Sequence, residues 1–231
     1  MNYIEGRTFI VTGGAVGLGF QTALQLAELG GNIVIANTNK DHAEEAVKQL
    51  EATGAKAAYC LTDVSKEEDT IELMRFTKEK FGRIDGVVNC AGIMPLGKFG
   101  DYDIKKWTKC IDVNFKGAVN VTHAAIVAMV EQGGRIGHIV NFASTAAKRY
   151  GPGVGIYGAT KIAVKWVVDS LRAEYAGKGK IIEGFIKDIE SRPLAIAEFD
   201  EKLWLAVIDQ VTVYRDGIMT FRFKNGSEVT A

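Results

Sequence analysis

Four polar residues near the middle of this 231-residue chain have the types and spacing of an acid–base catalytic group. Tyr157 and Lys161 stand four residues apart, Ser144 lies upstream of the tyrosine, and Asn114 lies earlier still. On a helix, a spacing of four places a phenol and an ammonium on one face, where the cation stabilises a phenolate. A free tyrosine titrates near ~10, too high for efficient catalysis at neutral pH, so an adjacent cation makes such a phenol more useful as a proton donor or acceptor.

Each of these residues also has an ordinary structural interpretation. A tyrosine and a lysine at this spacing often occur by chance, as a half-buried aromatic ring beside a solvated cation. Ser144 follows the apolar segment 139–142 and is suited to cap a turn there, and Asn114 is suited to a helix kink. The catalytic interpretation therefore depends on the rest of the chain.

A glycine-rich junction near the N-terminus predicts an anion-binding turn. Residues 8–19 are a short apolar strand followed by a turn that carries Gly13, Gly17 and Gly19, and a helical pattern follows over 20–29. Glycines at such a junction let a pyrophosphate approach main-chain N–H groups at a helix N-terminus, where the helix dipole favours anions. Many α/β proteins need glycine at this point only for tight packing, but here the strand, the turn and the helix are all in place.

Taken together, these motifs resemble those of the short-chain dehydrogenase/reductase family over about residues 1–180. The matching motifs, in order, are Thr12-Gly13-x-x-x-Gly17-x-Gly19, Asp63-Val64, Asn89-Cys90-Ala91-Gly92, Asn114, Ser144 and Tyr157-x-x-x-Lys161. Two positions depart mildly from the family pattern. Ala143 replaces a common second serine and Cys90 a common asparagine, and neither change removes a catalytic group.

The resemblance implies a role for each of the four polar residues. Tyr157 would exchange a proton with the substrate oxygen while hydride passes to or from a nicotinamide. Lys161 would lower the pKa of the tyrosine and hydrogen-bond the nicotinamide ribose. Ser144 would hold and polarise the substrate oxygen, and Asn114 would hold a water that links Lys161 to solvent. The implied activity is NAD(P)-dependent interconversion of a small-molecule carbonyl compound and a secondary alcohol.

The resemblance also implies a set of cofactor contacts. They are Thr12, Gly13, Gly17, Leu18, Gly19, Asn37, Asp63, Val64, Asn89, Ala91 and Gly92, together with Tyr157 and Lys161. An aspartate at position 37 would favour NAD, and an arginine at position 38 would favour NADP. The chain has Asn37 and Thr38 instead, so the sequence leaves the choice between NAD and NADP open.

Bulk properties predict a cytoplasmic enzyme with an ordinary core. Hydrophobic residues make up 47% of the chain, and a formal net charge of zero gives no reason to expect nucleic acid or an anionic membrane as a partner. Cys60, Cys90 and Cys110 form no Cys-x-x-Cys pair and are interpreted as reduced packing residues. No metal site, apolar signal segment or uninterrupted apolar run of membrane-spanning length is expected.

Alternating apolar and amphipathic segments predict the elements that must position these residues. Strands are expected near 8–11, 32–36, 57–61, 85–89 and 136–142, and helices near 17–29, 40–53, 66–82, 103–132 and 156–176. Right-handed crossovers make this a Rossmann-like, doubly wound parallel α/β sheet with its ligand crevice at the carboxyl ends of the strands. The resemblance further implies a homodimer through helices 103–132 and 156–176.

The resemblance to the family ends near residue 180. We therefore expect a dinucleotide-binding domain over 1–180, truncated after about five strands, and a tail over 181–231 that replaces the usual substrate-binding segment. Apolar spacing predicts a helix over 181–190, a short amphipathic helix over 199–210, and the two strands of a hairpin over 211–214 and 218–223. One edge of the parallel sheet is then expected to be uncovered.

The tail has a second resemblance, to the extreme C-terminal segment of large serine recombinases. Its motifs are Glu198-Phe-Asp-Glu-Lys-Leu-Trp204, Val211-Thr-Val-Tyr214 and Phe221-Arg-Phe-Lys-Asn-Gly226. The alternative is a lineage-specific tail that completes the core. Three functional hypotheses follow: an active oxidoreductase, which is favoured; a catalytically impaired nucleotide-binding protein or truncated fusion product; and, remotely, a DNA-associated protein, against which the excess of acidic residues in the tail argues.

Overall fold

The computed structural model describes residues 3–100, 103–133, 137–149 and 151–175, and the backbone of residues 208–213, 219–223 and 228–230. The chain divides into two units, residues 1–179 and 180–231. The first unit contains β1 Thr8–Thr12, α1 Gly17–Glu28, β2 Asn32–Asn37, α2 Lys40–Glu51, β3 Ala57–Leu61, α3 Glu67–Phe81, β4 Gly86–Asn89, α4 Ile104–Ile111, α5 Gly117–Glu131, β5 His138–Asn141 and α6 Gly155–Tyr175. The second contains β6 Ile208–Val213, β7 Met219–Phe223 and β8 Glu228–Thr230.

The first unit is built on a parallel sheet with the strand order β3-β2-β1-β4-β5. All five residues of the central strand β1 are buried, as expected for a strand covered on both faces. The chain passes from β3 on one side of β1 to β4 on the other, so the carboxyl ends of β1 and β4 flank the topological switch point. The predicted doubly wound fold is confirmed, and no strand that the structure describes pairs with the outer edge of β5.

Successive strand residues alternate between two apolar layers, one on each face of the sheet. The layer against α3 and α5 contains Ile10, Val34, Leu73, Val87, Val121 and Met129. The layer against α1 and α2 contains Val11, Ile33, Ile35, Ala43 and Leu50. These side chains are all buried, and each large one contributes roughly 1.5–3 kcal/mol to folding relative to exposure. The sheet is thus a rigid platform for the loops at its carboxyl edge.

The helix predicted over 103–132 is interrupted. A π-helical turn, Asp112–Lys116, separates α4 from α5. The turn brings α5 close to the loop after β3, where a Cβ placed on Gly117 would lie 2.6 Å from Cγ2 of Val64. The π turn is five residues long and continues directly into a helix on both sides, so periodicity over the whole segment did not reveal it.

Among the residues that the structure describes, one helical stretch is long and apolar enough to cross a membrane by length and composition. It is Ile104–Glu131, with a mean hydropathy of 1.2. Val121 and Met129 of this stretch are fully buried in the layer against the sheet. The core helix of a globular domain has these properties too, so the stretch is weak support for a membrane span.

The second unit contains a three-stranded antiparallel sheet in the order β6-β7-β8. The two predicted hairpin strands correspond to β6 and β7. The helix predicted over 199–210 is wrong at its end, because Ile208 and Gln210 pair with Phe223 and Arg222 of β7, with a bulge-like shift of register between them. The predicted helix over 181–190 and the remainder of 199–210 lie outside the described residues.

Candidate active site

The glycine-rich turn between β1 and α1 leaves a helix N-terminus open at the switch point. Gly13 has a φ of 62°, and a Cβ placed on Gly19 would lie 2.4 Å from the carbonyl oxygen of Gly13. Val16 precedes α1 without capping it through a side chain, and the first turn, where Gly17 and Leu18 are exposed, contains no acidic residue. The N–H groups and the positive end of the helix dipole are therefore available to an anion.

A chain of hydrogen bonds crosses the carboxyl ends of β1, β4 and β5. Thr12 Oγ1 donates to Asn89 Oδ1 over 2.6 Å and accepts from the N–H of Ala91 at 3.2 Å. Asn89 Nδ2 donates to Asn141 Oδ1 at 3.1 Å, and Asn141 Nδ2 donates to Thr122 Oγ1 of α5 at 3.3 Å. Such a satisfied network fixes the start of the loop after β4. The sequence singled out Thr12, Asn89 and Ala91 but not Asn141 or Thr122.

Asn114 lies in the π turn and binds the loop after β4. Its side chain is almost completely buried, with 1% of the residue exposed. Oδ1 accepts from the N–H of Ile93 and Nδ2 donates to the carbonyl oxygen of the same residue, each over 2.8 Å. Nδ2 also lies 3.3 Å from Cys110 Sγ and 3.3 Å from Thr160 Oγ1. Asn114 therefore occupies a helix irregularity, as its structural interpretation expected, and its carboxamide lies beside Gly92.

Lys161 is a buried cation on α6, with 6% of the residue exposed. Its Nζ donates to the carbonyl oxygen of Phe142 over 2.8 Å and lies 5.9 Å from the centroid of the Tyr157 ring. Burial lowers the pKa of the Lys161 ammonium, and Cys110 and Cys90 act in the opposite direction. The structure thus places the two residues of the Tyr-x-x-x-Lys motif beside the loop after β5.

Gly92 marks the point at which Asn114 and Lys161 converge. A Cβ placed on Gly92 would lie 3.3 Å from Asn114 Oδ1 and 3.6 Å from Lys161 Nζ. Burial also raises the pKa of the neighbouring Cys90 thiol to about 11, against the opposing effect of Lys161. Cys90 is therefore a protonated packing residue at neutral pH and not a nucleophile.

Ser144 and Tyr157 lie on two segments that pack against each other. Ser144 Oγ accepts from the N–H of Ala146 at 3.2 Å and caps the short 3₁₀ helix Thr145–Ala147, the capping role that the sequence allowed. The first turn of α6 lies against this helix, because a Cβ placed on Gly158 would lie 2.8 Å from the carbonyl oxygen of Ala146. The half-buried Tyr157 immediately precedes that glycine.

The other predicted cofactor residues follow β2 and β3. Asn37 Oδ1 accepts from the N–H of Asn39 at 2.9 Å, forming a local turn at the end of β2. Asp63 Oδ1 accepts from the hydroxyl and the N–H of Ser65, at 2.7 and 3.0 Å, and the bond from that hydroxyl is the main reason why the pKa of Asp63 is lowered. Val64 is buried beside it. The structure thus brings these residues to the same edge of the sheet as the glycine turn.

Comparison with known proteins identifies the family to which this arrangement belongs. Residues 7–185 match the family described as short chain dehydrogenase. The chain is 35% identical over 176 residues to an uncharacterized oxidoreductase of Listeria monocytogenes, covering 76% of this chain and 70% of that protein. It is 36% identical over 179 residues to an uncharacterized oxidoreductase of Staphylococcus aureus, covering 78% of this chain and 76% of that protein.

Solved structures agree with this assignment. NAD⁺-bound xylitol dehydrogenase has a TM-score of 0.73 and 29% identity, covering 77% of this chain and 68% of that chain. A short-chain type dehydrogenase/reductase from Mycobacterium ulcerans has a TM-score of 0.71 and 32% identity. The match covers 75% of this chain and 64% of that chain. The chain belongs to the short-chain dehydrogenase/reductase family of oxidoreductases. The resemblance of residues 198–226 to serine recombinases gains no support from these matches.

Proposed function

We propose that this protein is an NAD(P)-dependent oxidoreductase that interconverts a small carbonyl compound and a secondary alcohol. The proposal depends on one observation: the buried Lys161 and Asn114 converge at Gly92, beside Tyr157 and close to the switch point of the sheet. The oxidoreductase relatives and the NAD⁺-bound xylitol dehydrogenase support a nicotinamide cofactor. When bound, the nicotinamide supplies or accepts the hydride.

The residues around the switch point fit a dinucleotide. The turn itself is tightly packed, because a side chain at Gly19 would collide with the main chain of Gly13. The uncapped N-terminus of α1 suits a pyrophosphate. Asn37 at the end of β2 would meet the adenosine ribose. Its neutral amide neither repels a 2′-phosphate as a carboxylate would nor attracts it as an arginine would, so this position is compatible with both NAD and NADP.

The proposed chemistry assigns one task to each polar side chain. Tyr157 would exchange a proton with the substrate oxygen, and the buried charge of Lys161 would stabilise the phenolate form during that exchange. The Ser144 hydroxyl accepts its bond from Ala146, so it retains its own proton to donate to the substrate oxygen. Asn114 would hold the loop after β4 and the surroundings of Lys161 in place.

An open, mostly apolar depression of about 330 Å³ lies next to the residues that precede Tyr157. It is lined by Gly97, Lys98, Phe99, Trp107, Gly151, Pro152, Gly153, Gly155 and Ile156. The rings of Phe99 and Trp107 lie 4.6 Å apart, and the N–H of Gly97 donates to the carbonyl oxygen of Gly153 at 3.1 Å, which ties two loops together. We assign this depression to the apolar part of the substrate.

Exposed apolar side chains on α6 support the homodimer proposed for this family member. Trp166 is 77% exposed and Ile162, one turn earlier, is 51% exposed. Large apolar residues this exposed on one helix face are suited to a subunit contact.

The free thiols of Cys60, Cys90 and Cys110 agree with a reducing, cytoplasmic location.

Titration of the purified protein with NADH and with NADPH tests the proposed function. Nicotinamide fluorescence and the thermal midpoint are followed together, because a ligand that binds only the folded state raises its stability. A panel of apolar ketones and secondary alcohols is then screened for turnover. Saturable binding with turnover is expected. Binding without turnover would favour an impaired nucleotide-binding protein, and no binding of either nucleotide would contradict the proposal.

A further inference from the structure

Thr160 connects two segments of the candidate active site. It is buried on α6, immediately before Lys161. Its Oγ1 donates to the carbonyl oxygen of Tyr157 over 2.7 Å and accepts from Asn114 Nδ2 at 3.3 Å. A single hydroxyl therefore bridges the π turn and the first turns of α6.

The bond from Thr160 to the carbonyl of Tyr157 would not by itself indicate a role in the active site. A helical threonine often donates to the carbonyl three or four residues earlier, and Thr70 does so on α3, reaching Glu67 over the same 2.7 Å. Thr160 differs because its oxygen also receives the amide of Asn114. The two bonds are compatible, since the one hydroxyl proton is directed to the carbonyl of Tyr157 and a lone pair remains for the amide.

The contacts of Asn114 determine which end of its carboxamide faces Thr160. Oδ1 receives the N–H of Ile93, so the amino group is directed to the other side. There it meets the carbonyl oxygen of Ile93 at 2.8 Å, and Cys110 Sγ and Thr160 Oγ1 at 3.3 Å each. A hydroxyl oxygen is a better acceptor than a thiol sulfur, so Thr160 is the stronger partner for the second amide proton.

We propose that Thr160 is a positioning residue whose hydroxyl fixes the Asn114 carboxamide relative to the helix that carries Tyr157 and Lys161. Asn114 Oδ1 and Lys161 Nζ meet at Gly92, so a shift of the carboxamide changes the surroundings of the ammonium. A displacement of about 1 Å in a catalytic group can cost about 100-fold in rate. The catalytic consequence rests on the proposed function, whereas the hydrogen bond can be tested without it.

The hydrogen bond is tested by nuclear magnetic resonance of protein labelled with ¹⁵N at its asparagine side chains. Loss of a signal in Asn114→Ala identifies the Asn114 amide. Thr160→Val keeps the side-chain shape but removes the hydroxyl, and Thr160→Ser keeps the hydroxyl. Thr70→Val is the matched control, because it removes a buried hydroxyl with the same local bond. We expect Thr160→Val to shift the amide signal and speed its hydrogen exchange, while Thr160→Ser and Thr70→Val leave it near its wild-type position.

Steady-state kinetics test the catalytic consequence. Thr160→Val is expected to lower kcat about 10-fold while the Kd for the preferred nicotinamide nucleotide changes less than about twofold. Thr160→Ser should recover most of kcat, and Thr70→Val should keep it. The double variant of Asn114→Ala and Thr160→Val should be no slower than Asn114→Ala alone, because two residues that act as one unit have non-additive effects.

The two experiments test the hydrogen bond, its catalytic consequence and the proposed function separately. An unchanged Asn114 amide signal in Thr160→Val would overturn the proposal, whatever the activity. A shifted signal with wild-type kcat, or rate losses that multiply fully in the double variant, would overturn the catalytic part. A wild-type protein without turnover would contradict the proposed function, and the amide signal would still decide whether Thr160 positions Asn114.

Discussion

Among the residues that the structure describes, the groups that contact or act on the buried ammonium of Lys161 are a carbonyl and two thiols. Its ammonium is bonded to the carbonyl oxygen of Phe142, and the other groups that act on its pKa are the thiols of Cys110 and Cys90. Burying an ammonium without a carboxylate partner opposes folding. A protein that keeps such a residue gives up stability for the function of its site.

The lowered pKa of Lys161 predicts how a neutral substitute behaves. The charged form opposes folding fully below the folded-state pKa, and this opposition disappears as pH rises towards the unfolded value near ~10.4. Relative to wild type, Lys161→Met should therefore be most stable near neutral pH and lose that advantage as pH approaches ~10. Thermal unfolding over this range measures the difference. Lys165→Met, an exposed position paired with Asp169, is the control. A stability difference that grows with pH would refute the argument.

The hydroxyl of Tyr157 is the group that the proposed chemistry needs most. Tyr157→Phe should lower kcat by at least ~100-fold, because a positioned general acid or base contributes that much or more. Nucleotide binding, followed by fluorescence, should persist. Tyr59→Phe serves as the control. Tyr59 lies on β3, away from the crevice, and its hydroxyl donates to Glu44 of α2 at 2.8 Å. Wild-type turnover by Tyr157→Phe would exclude it as the acid–base residue.

At the scale of elements, the sequence was most informative where segments are buried on both faces. The strand predicted over 32–36 corresponds to β2, Asn32–Asn37. It was recognisable because an interior strand of a parallel sheet, covered on both faces, has a nearly continuous apolar sequence. The π turn at 112–116 was foreseen only as a possible kink at Asn114, because a single widened turn within a continuous helical segment has no clear sequence signal. The bond between Asn114 and Thr160 joins residues 46 positions apart, so only the folded chain brings them together.

The turn between β1 and α1 makes a prediction about the element as a whole. Alanine in a helix is ordinarily more stable than glycine by up to about 1 kcal/mol. At Gly19, however, the added Cβ would lie 2.4 Å from the carbonyl oxygen of Gly13, and such overpacking costs about 1–3 kcal/mol. Gly19→Ala should therefore unfold at a lower temperature and bind NADH and NADPH more weakly.

Thermal unfolding and fluorescence titration test this prediction. Gly100→Ala is the matched control, because a Cβ at that exposed glycine meets nothing within 4 Å and its φ is not in the left-handed region. If Gly19→Ala binds nucleotide as well as Gly100→Ala does, the close approach of the turn is not required for binding.

At the scale of the whole molecule, the exposed face of α6 leads to a prediction about assembly. The wild-type chain of 25.1 kDa should sediment at about twice that mass if it is a homodimer. Trp166→Lys should shift the population towards the monomer, because it places a charge on the proposed contact. Ile71→Lys, at a residue of α3 that is 56% exposed, should leave the mass unchanged. A wild-type monomer in sedimentation velocity would contradict the homodimer.

The hydrogen-bond chain below the crevice also has a consequence for how the sheet assembles. Thr12, Asn89 and Asn141 are direct neighbours in the strand registers, Thr12 opposite Asn89 and Asn89 opposite Asn141. A slip of β4 by one residue would turn the Asn89 side chain to the other face of the sheet and leave its two neighbours without their bonds. Each buried polar group left unpaired costs about 1–3 kcal/mol. The polar residues at the crevice thus favour the native register, because a misaligned sheet would be less stable than the native one.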